Sequence, residues 1–367
     1  MKRVRVLPTW SKLSEHCSGM RVHQELCLAA LDDGAQVIIN TAMTGDGKTR
    51  AGLLVAGKIG GRVLAIYPTR ELMQDQQRAL SSSSKAMNIM PEWQWRVLNA
   101  ETLDELQEEA REVNREVSRA GLVREQLMRR NTHLISSPDL IHMISSGDYA
   151  PRDNAGLQDL LLGQVQTLIV DEFHLYDEMQ VHKVLLFIAQ ARAVNPGMVT
   201  LLLSATAKPE VSERLQNMGL KTQIIEGQYA HQEKSPGEGQ WQMILQGVTL
   251  HLPEEAQIGA NSSASATDWV QSFAPELERM LRLPGSKGLI VMNSLREAGL
   301  AYEALQNRPI SLGRITGLTP RQERTRARKD VSEGGDQLII ATSTVDVGVD
   351  FELSALAFQA WDSAAFI

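Results

Sequence analysis

The chain has 367 residues, 43% hydrophobic and 22% charged, with a net charge of −7. That length gives room for two domains with a core in each, and the balance is that of an ordinary globular protein. The acidic total argues against uniform coating of nucleic acid, yet it allows a local basic track.

In chain order, the start Met1-Lys-Arg-Val-Arg5 is basic but has no signal-peptide apolar core after it. No apolar run approaches the roughly 18 residues of a membrane span. A cytoplasmic protein with no membrane partner is therefore expected. The two cysteines, Cys17 and Cys27, form no C-x-x-C pair and indicate neither a disulfide framework nor a zinc site. Strands are predicted at Val37–Asn40, Val63–Tyr67, His133–Ser136, Thr167–Val170 and Val199–Leu203. Several are continuously apolar, as parallel strands buried on both faces should be. Ser81–Ser84 reads as a small low-complexity loop. Thr102 and Glu105 have capping-box spacing, and Leu103, Leu106, Ala110, Val113, Val117 and Ala120 follow at helical steps, so one amphipathic helix is expected there.

Between about 226 and 265 the composition turns to linker material around one strand, Trp241–Leu252. Alternation then resumes with a helix from Trp269, strand Gly288–Met292, a helix from Leu295, strand Ser311–Thr316, helix Pro320–Lys329 and strand Gln337–Thr342. The expectation is α/β: a first domain over 1–225, a linker over 226–265 and a second domain over 266–367.

Two motifs carry chemistry. Ala42-x-x-Gly45-x-Gly47-Lys48-Thr49 follows a strand and opens a helix, which is the P-loop pattern with Ala42 in place of the usual first glycine. Backbone N–H groups of Thr44, Gly45, Asp46, Gly47 and Lys48 can wrap a β-phosphate at the helix N-terminus. Lys48 can reach the β- and γ-phosphates, and the Thr49 hydroxyl can ligate Mg²⁺. Further on, the apolar run Thr167–Val170 ends in Asp171-Glu172-Phe173-His174. Asp171 at a strand end can hold Mg²⁺ through water, and Glu172 can orient and deprotonate an attacking water. Arg314, Arg321, Arg324, Arg326, Arg328 and Lys329 form a basic cluster that can neutralise backbone phosphates or serve only as a solvated face.

Asp171-Glu-Phe-His174 resembles the DExH box of superfamily 2 helicases, and the family's other motifs follow in order. Tyr67-Pro-Thr-Arg-Glu-Leu72 resembles motif Ia, and Ser136-Ser-Pro-Asp-Leu140 the next DNA-contacting loop. Ser204-Ala-Thr206 resembles motif III, Gly288–Ser294 motif IV, and Ala341–Asp350 motif V. The resemblance implies two tandem RecA-like domains using ATP and Mg²⁺. By it, Lys48, Asp171, Glu172 and His174 are catalytic, with Thr49 and Asp171 at the metal. Gln24, beside Arg21, would read adenine, and Ser204 and Thr206 would couple nucleotide state to domain closure. Thr69, Arg70, Ser137, Pro138, Asn293 and Thr342 would follow the nucleic acid together with Arg321 and Arg324. Gly348 and Asp350 would close over the nucleotide from the second domain.

Within superfamily 2, the pairing of Ala-x-Thr-Gly-Asp-Gly-Lys-Thr with Tyr-Pro-Thr-x-Glu-Leu-x-x-Asp-Gln (Tyr67–Gln76) resembles the signature helicase of type I CRISPR interference, particularly subtype I-D. Phe173-His-Leu-Tyr176 followed by Gln180 does so too. Arg70 departs from the asparagine of that pattern and brings the stretch closer to general helicases. The resemblance implies 3′–5′ movement on single-stranded DNA after recruitment to a guide-RNA surveillance complex whose HD nuclease sits on a separate large subunit. The chain itself contains no His-Asp dipeptide. Same-class alternatives are a DNA-repair, restriction or RNA helicase; another class is a nucleotide-gated clamp that binds nucleic acid without productive hydrolysis. The family's arginine-rich motif VI has no counterpart, and Asp362–Ile367 looks like the start of its helix. A second domain incomplete at its C-terminus, and a fragment that binds ATP but hydrolyses it slowly, are therefore expected.

Overall fold

The computed structural model describes residues 2–149, 156–206, 209–252, 263–282, 285–316, 337–342 and 353–358. The chain divides into two compact units, Arg5–Val248 and Met1–Val4 with Thr249–Ile367.

In the Arg5–Val248 unit, seven strands form one sheet: β3 (Val37–Asn40), β4 (Arg62–Ile66), β5 (Gln94–Leu98), β6 (Thr132–Ser136), β7 (Val165–Val170), β8 (Val199–Leu203) and β9 (Thr222–Ile225). Their order is β5-β6-β4-β7-β8-β3-β9, and every pairing is parallel. β3, β4, β6 and β8 are buried along their whole length, as expected of mainly apolar strands covered on both faces, and the polar residues Asn40, Arg62, Thr132, His133, Ser136 and Thr200 in them are buried too. Helices α1 (Val22–Asp32), α2 (Lys48–Ile59), α3 (Arg70–Ala86), α4 (Ala100–Glu112), α5 (Arg119–Met128), α6 (Pro138–Ser145), α7 (Leu157–Gln164), α8 (Glu178–Val194) and α9 (Pro209–Asn217) connect them. The core on one side joins Val37, Leu64, Ile66, Leu134, Leu168 and Val170 of the strands to Val123, Ile144, Leu161 and Phe187 of the helices. Because β4 crosses to the far side of β7 and β8, the ends of β3, β8 and β7 stand side by side, where ligands bind in open α/β sheets.

A smaller sheet in the same unit has the order β10-β2-β11, from Tyr229–His231, Thr9–Lys12 and Trp241–Leu245. Both pairings to the central β2 are antiparallel. The second unit carries α10 (Ser263–Leu281), α11 (Leu295–Leu305) and a four-stranded parallel sheet, β14-β15-β13-β16, from Leu312–Ile315, Leu338–Thr342, Gly288–Met292 and Ala355–Phe358. β1 (Lys2–Val6) pairs with β12 (Val248–Leu252) in a two-stranded sheet.

Several local expectations change. The helix expected after Thr102 is two helices. Asn99, not Thr102, is the N-cap, receiving the Thr102 N–H at 2.8 Å while the Thr102 hydroxyl accepts the Asn99 N–H at 3.1 Å. α4 stops at Glu112, leaving Val113 71% exposed, and Ser118 caps a new helix. Ser81–Ser84 is not a loop but the last turns of α3, where the Ser81 hydroxyl returns to the Gln77 carbonyl at 2.6 Å. The single strand expected over Trp241–Leu252 is two, β11 and β12, with a break at Gln246 and Gly247, and α10 begins six residues before Trp269. Helix Pro320–Lys329 lies outside the described residues.

Candidate nucleotide and nucleic-acid site

The loop between β3 and α2 is shaped by glycine. Gly45 and Gly47 have φ of +81° and +76°, where side chains are strained. A Cβ on Gly47 would also lie 2.8 Å from Arg21 Nη1 and 2.9 Å from Gln24 Nε2. Thr44 and Gly45 form the exposed crown, whereas Asp46 and Lys48 are buried. The Lys48 ammonium donates to the Ala42 carbonyl at 2.9 Å across the loop. Burial lowers its pKa, opposed by the charges of Glu172, Asp171 and Asp46, so a buried cation sits among three carboxylates.

β7 delivers two of those carboxylates. The Thr49 hydroxyl donates to Asp171 Oδ2 at 3.0 Å, and the Glu172 N–H donates to Asp171 Oδ1 at 2.9 Å. Burial, then the neighbouring Glu172 charge, pushes the Asp171 carboxyl up to about 6, against the pull of those hydrogen bonds and Lys48. Burial also raises Glu172. Glu172 has φ +49° and ψ 41°, a left-handed conformation in a residue with a Cβ. Such strain costs about 1–2 kcal/mol and clusters at functional positions. A hydroxyl and a carboxylate 3.0 Å apart fit the protein share of a Mg²⁺ site completed by water and phosphate oxygens. No group of three or more His, Cys, Asp or Glu among the described residues makes a self-sufficient metal cage.

His174 joins this centre to the end of β8: its Nδ1 lies 3.5 Å from Glu172 Oε2 and accepts the Ala205 N–H at 3.4 Å. In the turn after β8, the Ser204 hydroxyl donates to the Thr206 carbonyl at 2.6 Å and receives the Thr206 N–H at 3.3 Å. The Ser204 N–H donates to the Asn40 carbonyl at 3.0 Å, tying this turn to the strand before the P-loop. Gln24, fully buried on α1, donates from Nε2 to the Gly47 carbonyl at 3.1 Å and accepts the Arg21 N–H on Oε1 at 3.1 Å.

Asp46 is the hub of a group the sequence did not disclose. Its carbonyl accepts from Arg21 Nη1 at 3.0 Å and meets His23 Nε2 at 2.8 Å. Its carboxylate lies 2.8 Å from Arg21 Nε without hydrogen-bond alignment, and receives the Tyr229 hydroxyl at 2.8 Å. Asn40 reaches His23 Nδ1 at 3.0 Å and accepts the Ala42 N–H at 3.0 Å. Arg21 was visible only as a neighbour of Gln24. His23, Asn40 and Tyr229 gave no signal, because isolated polar residues far apart in sequence carry no spacing.

Beyond β4 and β6, adjacent strands in register at Ile66 and Ser136, the next helices begin. Thr69 caps α3 by accepting the Leu72 N–H at 3.4 Å, and Ser137 caps α6 by accepting the Leu140 N–H at 3.3 Å. Arg70 is exposed, while Pro138 is buried at the first turn of α6. In the other unit, Asn293 follows β13 and Thr342 ends the adjacent β15. Of the basic cluster, Arg314 lies over the Tyr302 ring at 5.5 Å. Arg321, Arg324, Gly348 and Asp350 lie outside the described residues. Among the described residues no helix is long and apolar enough to cross a membrane.

Comparison with known proteins agrees with this architecture. The fold is similar to the helicase MrfA, solved bound to DNA, at TM-score 0.64 and 17% identity over 97% of this chain and 49% of that one. It is similar to Mss116p, solved with single-stranded RNA and AMP-PNP, at TM-score 0.61 and 15% identity over 96% of this chain and 66% of that one. Dbp5 of S. cerevisiae matches at TM-score 0.52 and 14% identity, over 95% and 88% of the two chains. The chain thus spans about half the length of the MrfA structure. No curated protein matches it. The fold is α/β with parallel sheets, similar to tandem RecA-like helicase domains. Residues 21–215, more than half the chain, match the DEAD/DEAH box helicase family, and the chain belongs to that family.

Proposed function

We propose that the chain binds Mg·ATP between the P-loop and the DExH residues and uses its hydrolysis to move along single-stranded DNA. The observation that supports this most is the Thr49 hydroxyl on Asp171 Oδ2 at 3.0 Å with Lys48 and Glu172 beside them. Two segments far apart in sequence thereby put a phosphate-binding cation, a metal-binding pair and a second carboxylate in one place.

In this reading Lys48 leaves the Ala42 carbonyl to hold the terminal phosphates. Thr49 and Asp171 would hold the metal, which when bound neutralises charge on the phosphate oxygens. Glu172 orients the attacking water and accepts its proton, a role its raised pKa favours. His174, in contact with Glu172 and the Ala205 N–H, passes changes at the γ-phosphate to the Ser204–Thr206 turn. Gln24 reads adenine by exchanging its bond to the Gly47 carbonyl for the base. Thr69, Arg70, Ser137 and Pro138, at neighbouring strand ends of one unit, lie along the nucleic acid; Asn293 and Thr342, at neighbouring strand ends of the other, are proposed for the same role. Phosphate contacts of this kind read no base sequence.

The narrower proposal is a role in CRISPR interference, with a surveillance complex and a separate nuclease subunit as partners. It rests on the Ala42–Thr49 and Tyr67–Gln76 patterns. The test is binding of the chain loaded with Mg·AMP-PNP to labelled single-stranded DNA and to single-stranded RNA. Selective binding of DNA supports the reading. Selective binding of RNA would move the chain to the RNA-helicase alternative, a reading kept open by the RNA-bound Mss116p structure.

A further inference from the structure

We propose that Tyr229, on the small β10-β2-β11 sheet, is a positioning residue that clamps the two flanks of the Thr44-Gly45 crown of the phosphate loop and so sets nucleotide affinity. This rests on the reading of Thr41–Thr49 as the nucleotide loop.

The Tyr229 hydroxyl accepts the Met43 N–H at 2.7 Å and donates to Asp46 Oδ2 at 2.8 Å. Met43 enters the exposed crown Thr44-Gly45 and Asp46 leaves it, so one oxygen spans the exposed part of the loop. β11 lies against the same crown: a Cβ on Gly45 would meet the Ile244 carbonyl oxygen at 3.6 Å and Leu245 Cδ2 at 3.9 Å. Both outer strands of the small sheet thus reach the crown or its flanks. β2, between them, comes from ahead of the P-loop in sequence, whereas β10 and β11 come from behind the entire seven-stranded sheet.

Asp46 needs this contact. Its carboxylate is fully buried, the nearby Arg21 Nε–H is not aimed at it, and His23 Nε2 stands 3.4 Å from Oδ2. Among the described residues the Tyr229 hydroxyl is its aligned side-chain donor. A buried carboxylate held on one side only would swing the Asp46-Gly47 peptide, whose amide faces the phosphates. A loop ordered before the nucleotide arrives spares binding the entropy of ordering it.

Tyr229→Phe keeps the ring and removes only the hydroxyl. Losing two hydrogen bonds to the loop should raise the Kd for Mg·AMP-PNP by about tenfold or more. In steady-state hydrolysis KM should rise while kcat changes little. Hydrogen exchange should quicken at the Met43 amide and stay slow through Val199–Leu203. Tyr229→Phe and Asp46→Asn should combine to less than the product of their separate effects, since both weaken one contact. The full chain is titrated with Mg·AMP-PNP beside a Lys48→Ala control. An unchanged Kd in Tyr229→Phe, with Lys48→Ala defective, overturns the clamp and leaves the nucleotide site standing. So do fold-changes that simply multiply. Binding indifferent to Lys48→Ala would instead overturn the nucleotide-site reading itself. Should Tyr229→Phe fold poorly, hydrogen exchange in the wild-type chain decides instead: a Met43 amide already protected without nucleotide supports the clamp, and one protected only with Mg·AMP-PNP overturns it.

Discussion

Gly47→Ala offers a quantitative test of how the phosphate loop is held. Alanine at φ +76° costs about 1 kcal/mol in backbone conformation. Its Cβ would also sit 2.8 Å from Arg21 Nη1 and 2.9 Å from Gln24 Nε2, so both side chains must withdraw. That breaks the Arg21 bond to the Asp46 carbonyl and the Gln24 bond to the Gly47 carbonyl, each contributing about 0.5–1.5 kcal/mol. The total is about 2–4 kcal/mol. If the loop relaxes out of its binding shape, nucleotide affinity falls by about 30- to 1,000-fold. If the fold absorbs the strain, the unfolding midpoint drops instead, by about 2–4 °C per kcal/mol. Titration with a fluorescent nucleotide and a thermal melt on the same sample capture both. A Gly47→Ala protein unchanged in both would refute the loop geometry.

Three other outcomes are expected. Glu172→Gln should keep Mg·ATP binding near wild type and reduce turnover by at least about a hundredfold, because the amide cannot take the water's proton; a collapse of affinity with turnover retained would make Glu172 a metal ligand or structural residue. Replacing Arg321, Arg324 and Arg328 should weaken single-strand binding about equally across sequences and flatten its dependence on salt, whereas an unchanged slope would return these arginines to a solvated face. His133, stacked on Trp93 and accepting the Val63 N–H at 3.1 Å, has its pKa lowered by burial, and further by Arg62, from 6.5 to about 3. The neutral ring therefore contributes stability that is complete above pH 6.5 and is lost as pH falls toward 3, at up to about 1.4 kcal/mol per unit. Urea midpoints between pH 6 and 4 should fall less steeply for His133→Asn than for wild type; parallel slopes would contradict the assignment.

The legible parts of the fold were those in which a short segment carries its own signal. Val37–Asn40, Val63–Tyr67 and Val199–Leu203 are mainly apolar because both faces of the sheet are covered, and each proved to be a strand within a residue. β5 and β9 escaped because they are the edge strands: Gln94–Leu98 and Thr222–Ile225 mix polar and apolar residues. The break between α4 and α5 escaped because Val113 and Val117 keep helical spacing across it, although Val113 faces water. At the site, the glycines, Lys48, Thr49, Asp171 and Glu172 were readable from two local patterns. The Arg21–His23–Asn40–Tyr229 group around Asp46 was not, since only the folded chain brings Tyr229 to a loop 183 residues earlier.

Equilibrium titration of the wild-type chain and Lys48→Ala with AMP-PNP, each with Mg²⁺ and with EDTA, addresses the central claim most directly. One nucleotide should bind per chain with Mg²⁺, weaken markedly in EDTA, and be lost or at least about a hundredfold weaker in Lys48→Ala, whose ammonium is the cation set among Asp46, Asp171 and Glu172. Wild-type affinity in Lys48→Ala, or binding indifferent to Mg²⁺, would contradict the account.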